Sequence, residues 1–291
     1  MKYYFVINPK AGKENIQGLE EEIKNIFDGL DFTIYYTKEA KDATRYVKDV
    51  CDSNKEELRF FACGGDGTIN EVASALVNVK HASLVAYPCG SGNDFVRSFK
   101  TDFKDLKQFI DKKAKAIDIL KVNDFYSINV ANIGFDADVN AGVINLKKKM
   151  KVEKAYTKSL IKCLFKKFYS EYKVTIDDKE VIEGKFVLFT CSNASFYGGG
   201  YKCGPRAKID DGLIDFCAIN KISRLTFVRV VKSYKAGTYF EKVNPKIYVY
   251  RKCKKVTIES KNLMSVSLDG EMIFTKKIDV SILSNAVNLV Y

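Results

Sequence analysis

Hydrophobic positions in the first third of the chain come in short runs separated by amphipathic stretches. Tyr3–Ile7, Phe32–Tyr36, Leu58–Cys63 and Ser83–Tyr87 are apolar runs of strand length. Between them, Glu14–Phe27, Ala40–Cys51 and Thr68–Val77 carry apolar residues at helical spacing. Strands alternating with helices predict a parallel sheet with helices on its faces. In such sheets ligands collect at the carboxyl ends of the strands. Three of those ends run into polar loops: Asn8-Pro9-Lys10-Ala11-Gly12-Lys13, Gly64-Gly65-Asp66-Gly67-Thr68 and Cys89-Gly90-Ser91-Gly92-Asn93-Asp94.

After Val122 the pattern changes. Strand-like runs crowd together at Phe125–Asn132, Tyr172–Ile176, Lys185–Ser192, Leu213–Ile219, Lys246–Tyr250, Lys255–Glu259, Ser265–Leu268 and Asp279–Leu283. Helical stretches are fewer: Asp136–Met150, Lys154–Tyr169 and Ser223–Lys235. Dense strands with glycine turns predict a mainly antiparallel β-sandwich or barrel. The expected organisation is an α/β domain over residues 1–122, rejoined by 274–291, and a β-rich domain over 123–273. No Pro/Ser-rich linker separates the halves, so a tight interdomain cleft is expected.

Composition narrows the chemistry. The 291 residues suit two domains, and 46% hydrophobic content is enough to bury a core. No window has the apolar length of a membrane span, and the N-terminus lacks the marks of a signal peptide. The eight cysteines show no C-x-x-C pair and are expected as reduced thiols of a cytoplasmic protein. A single histidine, His81, excludes Ser-His-Asp, Cys-His and multi-histidine metal chemistry unless it acts alone. The proton acceptor must then be Asp, Glu or Lys. The net charge is +12, and Lys147–Lys167 alone holds nine lysines against one glutamate. Such a surplus points to a polyanionic partner. No helix-turn-helix, RNA-recognition or zinc pattern is visible, so nucleic acid is not the expected partner; an anionic membrane surface is.

The glycine loops carry the sharpest signals. In Gly64–Thr68 the glycines let backbone N–H groups approach a phosphate, and the following helix adds the positive end of its dipole. A lone aspartate there would repel phosphate, so Asp66 is expected to act through a divalent cation or to position a basic group. This is not a Walker A loop. In Gly90–Arg97, Ser91 offers a hydroxyl, Asn93 and Asp94 can bond a sugar or a metal-bound water, and Arg97 can pair with an anion. Lys208–Leu213 reads as a hairpin turn or as a cation site. Asp269-Gly270-Glu271 reads as a hairpin or as two carboxylates placed at a cleft.

Together these elements resemble the diacylglycerol kinase catalytic family, in particular bacterial lipid kinases of the diacylglycerol kinase and YegS-like type. The resemblance covers nearly the whole chain. It rests on N-P-x-x-G at Asn8–Gly12, G-G-D-G-T-x-N-E at Gly64–Glu71, G-[ST]-x-N-D-F-x-R at Gly90–Arg97, P-x-A-x-x-x-D-G-x-x-D at Pro205–Asp215 and D-G-E at Asp269–Glu271. Ala11 stands where serine is common and Ser91 where threonine is common. The resemblance implies an NAD kinase/diacylglycerol kinase-like α/β domain and ATP in the cleft. Asn8, Pro9, Lys10, Ala11, Gly12, Thr37, Gly64, Gly65, Gly67, Thr68, Asn70, Glu71, Gly90 and Ser91 would hold the nucleotide. Asp66, Lys13, Asn93, Asp94 and Asp118 would surround a catalytic Mg²⁺. Lys208, Asp211 and Leu213 would hold a structural Mg²⁺, and Asp269 or Glu271 would be the general base.

The implied reaction moves the γ-phosphoryl group of ATP to a lipid hydroxyl, with diacylglycerol the first acceptor. Sphingoid bases, phosphatidylglycerol and polyprenols are alternatives. An NAD kinase-like phosphotransferase is the rival, and the N-D-F-x-R and D-G-E elements speak against it. An acyl slot is expected near Phe196–Tyr201, and peripheral docking on an anionic membrane through Lys147–Lys167. Oligomeric state is open, with a homodimer among the expected partners.

Overall fold

The computed structural model describes residues 1–12, 16–146, 150, 152–165, 168–269 and 271–291, with the backbone alone for Asn145, Val152 and Glu153. Apolar runs and amphipathic stretches alternate in space as they do in sequence. They form β1 (Lys2–Ile7), α1 (Leu19–Ile26), β2 (Phe32–Tyr36), α2 (Asp42–Ser53), β3 (Leu58–Gly64), α3 (Asp66–Ala75) and β4 (Ala82–Pro88). The strands lie in the order β2-β1-β3-β4, all parallel. Every residue of β3 is buried, as expected of a central strand covered on both faces. Phe5 stacks on Phe61, and Phe27 of the α1 segment meets both rings edge-on. Three glutamates in the first turn of α1 suit the positive end of its dipole.

The second half contains β5 (Lys115–Val122), β6 (Phe125–Ser127), β7 (Val130–Gly134), α4 (Phe135–Leu146), α5 (Val152–Phe165), β8 (Ser170–Ile176), β9 (Glu180–Ser192) and β10 (Ile214–Asn220). There follow α6 (Arg224–Ala236), α7 (Tyr239–Lys242), β11 (Tyr248–Cys253), β12 (Lys255–Leu268) and β13 (Glu271–Leu289). β9 pairs with β8 along its first half and with β7 and β10 along its second. β12 pairs first with β8 and then with β7. These antiparallel strands therefore close around a core that includes Val174, Phe189, Phe216, Val256 and Val266. A second core, with Phe135, Phe168, Phe227 and Tyr239, joins the outer face to the helices. β13 leaves its hairpin with β12, runs beside β5, and ends parallel to β4 at Leu289. One strand thus stitches the two halves together.

Some boundaries differ from expectation, for physical reasons. Phe125–Asn132 is two strands, because the N–H of Ile128 donates to Asn70 Oδ1 and that of Asn129 to Asp269 Oδ2. The expected runs at Lys255–Glu259 and Ser265–Leu268 are one strand with a register shift between Glu259 and Met264. β5 was not expected as a strand: its lysines and the buried Asp118 break the apolar run. None of the eight cysteines forms a disulfide.

Candidate active site

The three polar loops meet at the carboxyl edge of the parallel sheet. Asn8, just past β1, donates from its side chain to Thr68 Oγ1 at 3.2 Å, and its backbone N–H bonds Cys63 O at 2.9 Å. The amide of Lys10 returns to Asn8 Oδ1 and that of Ala11 to Asn8 O, so the first loop is a folded turn. The amide of Thr37, at the end of β2, donates to Ile7 O. The two glycine loops lie in direct contact: a Cβ on Gly90 would come 2.6 Å from the Gly65 Cα. A Cβ on Gly64 would come 2.4 Å from the Thr68 side chain, so glycine is obligatory there too.

Across from these loops stands the β12–β13 hairpin. Asp269 adopts a left-handed conformation, φ 47°, at its tip. Ser127 Oγ and the Asn129 amide donate to its Oδ2 at 2.8 and 3.2 Å, and the Val130 amide to its Oδ1 at 3.1 Å. The interruption between β6 and β7 is therefore where the backbone turns its donors onto this carboxylate. Asn8, Lys10, Thr37, Gly67, Thr68, Glu71, Asp269 and Glu271 line one cleft of about 390 Å³. The glycine turn and the late carboxylate pair face each other across it. Lys38, Glu39, Ala40 and Ala43, from the loop after β2 and the start of α2, complete the wall. Sequence reasoning missed these four, although their place after a strand end was a usable signal.

The cleft has a surplus of negative charge. Burial raises the Asp66 carboxyl, with the charge of Asp94 adding to it, while the Phe95 amide at 3.0 Å works against the rise. Burial likewise raises Glu71, reinforced by Glu271 and opposed by the amides of Lys41 and Ala43. Asp269 is pushed up to about 7, chiefly by burial, despite its three donors. Among the described residues none of Asp66, Glu71, Asp269 and Glu271 has an ion-pair partner. Asn93 Oδ1, in the second glycine loop, is buried without a hydrogen-bond partner. Crowded carboxylates and an orphaned acceptor fit a divalent cation held by few protein ligands together with phosphate and water.

Other expected residues are placed differently. Asn70 is buried and bridges to the Tyr126 carbonyl and the Ile128 amide, and it does not line the cleft. Asp94 accepts from the Gly199 amide at 2.7 Å and pairs with Arg97, tying the second glycine loop to the 196–201 segment. Ser91 is exposed, as are Pro9 and Gly12. Asp118 stands apart from the expected Mg²⁺ network. Its oxygens accept from the Gly212 and Asn285 amides at 2.6 and 2.9 Å, beside the 208–213 loop. Lys13 lies outside the described residues.

That loop holds a cation of its own. Lys252 Nζ is 2.6 Å from Asp211 Oδ2 and 3.3 Å from Asp215 Oδ2, and the Leu213 amide donates to Asp211 Oδ1. The donor set expected from Lys208, Asp211 and Leu213 does not fit a second Mg²⁺ while this ammonium occupies its one carboxylate.

Comparison with known proteins agrees with this architecture. Residues 2–122 match the model of the diacylglycerol kinase catalytic domain. Residues 129–291 match that of the YegS C-terminal NAD kinase beta sandwich-like domain. A diacylglycerol kinase of Bacillus subtilis (strain 168) is 29% identical over 273 residues, covering 91% of this chain and 88% of that protein. A probable lipid kinase YegS-like of Alcanivorax borkumensis is 26% identical over 265 residues, covering 90% of this chain and 87% of the relative. The crystal structure of a diacylglycerol kinase from Bacillus anthracis str. Sterne shares the fold, with a TM-score of 0.73 at 24% identity over 100% of this chain and 96% of that one. An ATP-bound NAD kinase from Archaeoglobus fulgidus shares it more distantly, with a TM-score of 0.52 at 12% identity over 100% of this chain and 94% of the other. The two family-model matches, which together span nearly the whole chain, place it in the diacylglycerol kinase catalytic family, with the YegS-type second domain, as a lipid kinase.

Proposed function

We propose that this lipid kinase transfers the γ-phosphoryl group of ATP to the free hydroxyl of diacylglycerol, giving phosphatidic acid. The observation that carries the reading is the one cleft in which Gly67 and Thr68 of the glycine turn face Asp269 and Glu271. Two relatives named for lipid kinase activity point the same way. Residues 1–122 and 274–291 would carry the nucleotide, and 123–273 the lipid.

The amides of Gly65–Thr68, at the start of α3, meet the phosphates. Asn8, Lys10 and Thr37 bound the nucleotide's other side. Asp66 and Asn93 would be the residues to hold Mg²⁺, which would supply neutralisation of the charge developing on the phosphates, while Asp94 ties their loop to the 196–201 segment. The two hairpin carboxylates then divide their tasks. Asp269 has three of its roughly four acceptor positions filled, so it fixes the hairpin tip. Glu271 lines the cleft with no hydrogen-bond partner among the described residues. It is the group free to take the proton of the attacking hydroxyl.

Membrane access belongs to α5 and α6. Ile161, Phe165, Leu225 and Val228 are 50%, 83%, 73% and 57% exposed, beside Lys154, Lys158 and Lys162. Apolar tips among cations suit an anionic bilayer surface, at about 1 kcal/mol per lysine. The remaining lysines of the basic segment, 147–149, 151, 166 and 167, lie outside the described residues. No helix among the described residues is long and apolar enough to cross a membrane.

The test is phosphorylation of a mixed lipid extract with labelled ATP and Mg²⁺, followed by identification of the product. Labelled phosphatidic acid is expected from the wild type and not from Glu271→Gln. Labelling of another lipid with diacylglycerol left untouched would overturn the substrate assignment.

A further inference from the structure

Asn70 sits on α3, just past the Thr68 that lines the reaction cleft, yet it is 6% exposed and lines no part of that cleft. Its side-chain amide is spent on backbone from the second half of the chain. Nδ2 donates to Tyr126 O at 3.0 Å, and Oδ1 accepts from the Ile128 amide at 3.0 Å. Among the described residues β6 has a strand partner on one side only, β5. Beside β6 the asparagine supplies a donor and an acceptor of the kind a neighbouring strand would present. Only glutamine shares that pair of groups, on a longer stem.

The residue between those two contacts is Ser127. Its Oγ donates to Asp269 Oδ2 at 2.8 Å, and the amides of Asn129 and Val130 donate to the same carboxylate. Asn70 thus grips the chain at 126 and 128, and the three donors to Asp269 come from 127, 129 and 130. A left-handed aspartate such as Asp269, φ 47°, persists where its surroundings hold it. From Thr68 to Asn70 the helix rises only about 3 Å, so the glycine turn and the grip move as one body.

We propose that Asn70 is a positioning residue for the hairpin carboxylates: it fixes the 126–130 stretch that anchors Asp269, and so ties the helix behind the glycine turn to the strand that carries Glu271. The proposal rests on the reading of this cleft as the place where Glu271 takes the proton of a lipid hydroxyl. The charged groups around Asp269 are Asp66, Glu71 and Glu271, with Lys10 and Lys38 on the cleft wall.

The test reads Asp269 directly, by carbon-13 NMR of the full chain labelled at its aspartate carboxyls, with Asp269→Asn to identify the resonance. In the wild type that carboxyl should titrate at about 7. Asn70→Ala leaves the 126–130 stretch without its grip, and the donors that favour the charged form are weakened. The Asp269 carboxyl should then titrate about 1 pH unit higher. Asn70→Leu, close in shape and likewise neutral, removes the same two bonds and serves where the alanine variant does not fold. Thr44→Val is the control. It removes a different bond to α3, from Thr44 Oγ1 to Glu71 O at 3.0 Å, and should leave the Asp269 titration in place. In turnover Asn70→Ala should lose about 10–100-fold in kcat, with KM for ATP within about twofold of wild type. An unshifted Asp269, an equal shift in Thr44→Val, or a raised KM for ATP at unchanged kcat overturns the proposal. A wild type that phosphorylates no lipid, or a fully active Glu271→Gln, would end the reading of the cleft, and the NMR titration would then decide for Asn70.

Discussion

In the cleft, Glu71, Asp269 and Glu271 share a wall with Lys10 and Lys38 yet form no ion pair among the described residues, and burial raises Glu71 and Asp269 as it raises the neighbouring Asp66. Over residues 208–215, Lys252 pairs with both carboxylates, 2.6 Å from Asp211 and 3.3 Å from Asp215. Both regions combine aspartate with glycine, and both look like cation sites in sequence. The difference is countercharge. A carboxylate cluster that brings its own ammonium is a structural joint, whereas one that lacks it depends on an ion or a proton from outside.

The widest gap between the two regions should appear on removing a carboxylate from each. Glu271→Gln keeps the shape of the cleft and takes away the proposed proton acceptor. A loss of roughly 10²–10⁴-fold in kcat is expected, with KM for ATP little changed. A variant within tenfold of wild type would transfer the role to Asp269. Asp211→Asn, in the other region, should leave kcat within about twofold, since it touches neither nucleotide nor lipid.

Asp66→Asn comes next. It removes the acid set among the glycines, where a Cβ on Gly92 would stand 2.9 Å from Asp66 Oδ2. A loss of about 10²–10³-fold in kcat is expected, and the Mg²⁺ concentration for half-maximal rate should rise about tenfold or more. An unchanged Mg²⁺ requirement would place the cation elsewhere.

The Lys252 joint should show in stability instead of rate. Asp215 is nearly inaccessible and would lose its cation in Lys252→Met, keeping only the Tyr250 hydroxyl at 2.5 Å. Breaking a buried pair costs about 3–5 kcal/mol. Lys252 is itself a third exposed, so about 2 kcal/mol is expected here, read from denaturant unfolding. Divalent cation should raise Tm in the variant and not in the wild type. A wild type whose Tm falls on chelation would show that the loop takes a metal after all.

Much of this contrast was legible in the residues. The parallel order of the first half follows from apolar runs alternating with amphipathic ones, and that topology alone brought the Asn8, Gly65 and Gly90 loops together. The D-G-E hairpin opposite them was legible as two carboxylates around a glycine. What stayed hidden depends on partners distant in sequence. Nothing near Lys252 signals that its ammonium would meet Asp211, 41 residues away. Asp118 was expected near Mg²⁺ only through the family resemblance, and its neighbours in sequence do not reveal that the Gly212 and Asn285 amides face it. The split between β6 and β7 was invisible for the same reason: the residues that interrupt it are Asn70 and Asp269.

Asp269 makes the smallest predicted change in rate, and the one that best separates positioning from chemistry. Its carboxyl is held at about 7 in the free protein, above the 3.8 of an unburied aspartate. Between those values the folded state keeps a proton that the unfolded chain has released. Stability therefore falls as pH rises from about 4 to about 7, and the charged form costs the free protein stability above that. Activity runs the other way. The amides of Asn129 and Val130 bond the carboxylate, and protonation weakens those bonds and loosens the tip that carries Glu271. In the wild type kcat/KM should rise about tenfold from pH 6 to pH 8, reporting the free enzyme, while the limb in kcat should lie at lower pH once Mg²⁺ and ATP are bound. Asp269→Asn cannot titrate: both the acid limb and the decline in stability between pH 4 and 7 should disappear from it. If the variant retains the acid limb, the titrating group is another residue, and the anchoring role assigned to Asp269 fails with it.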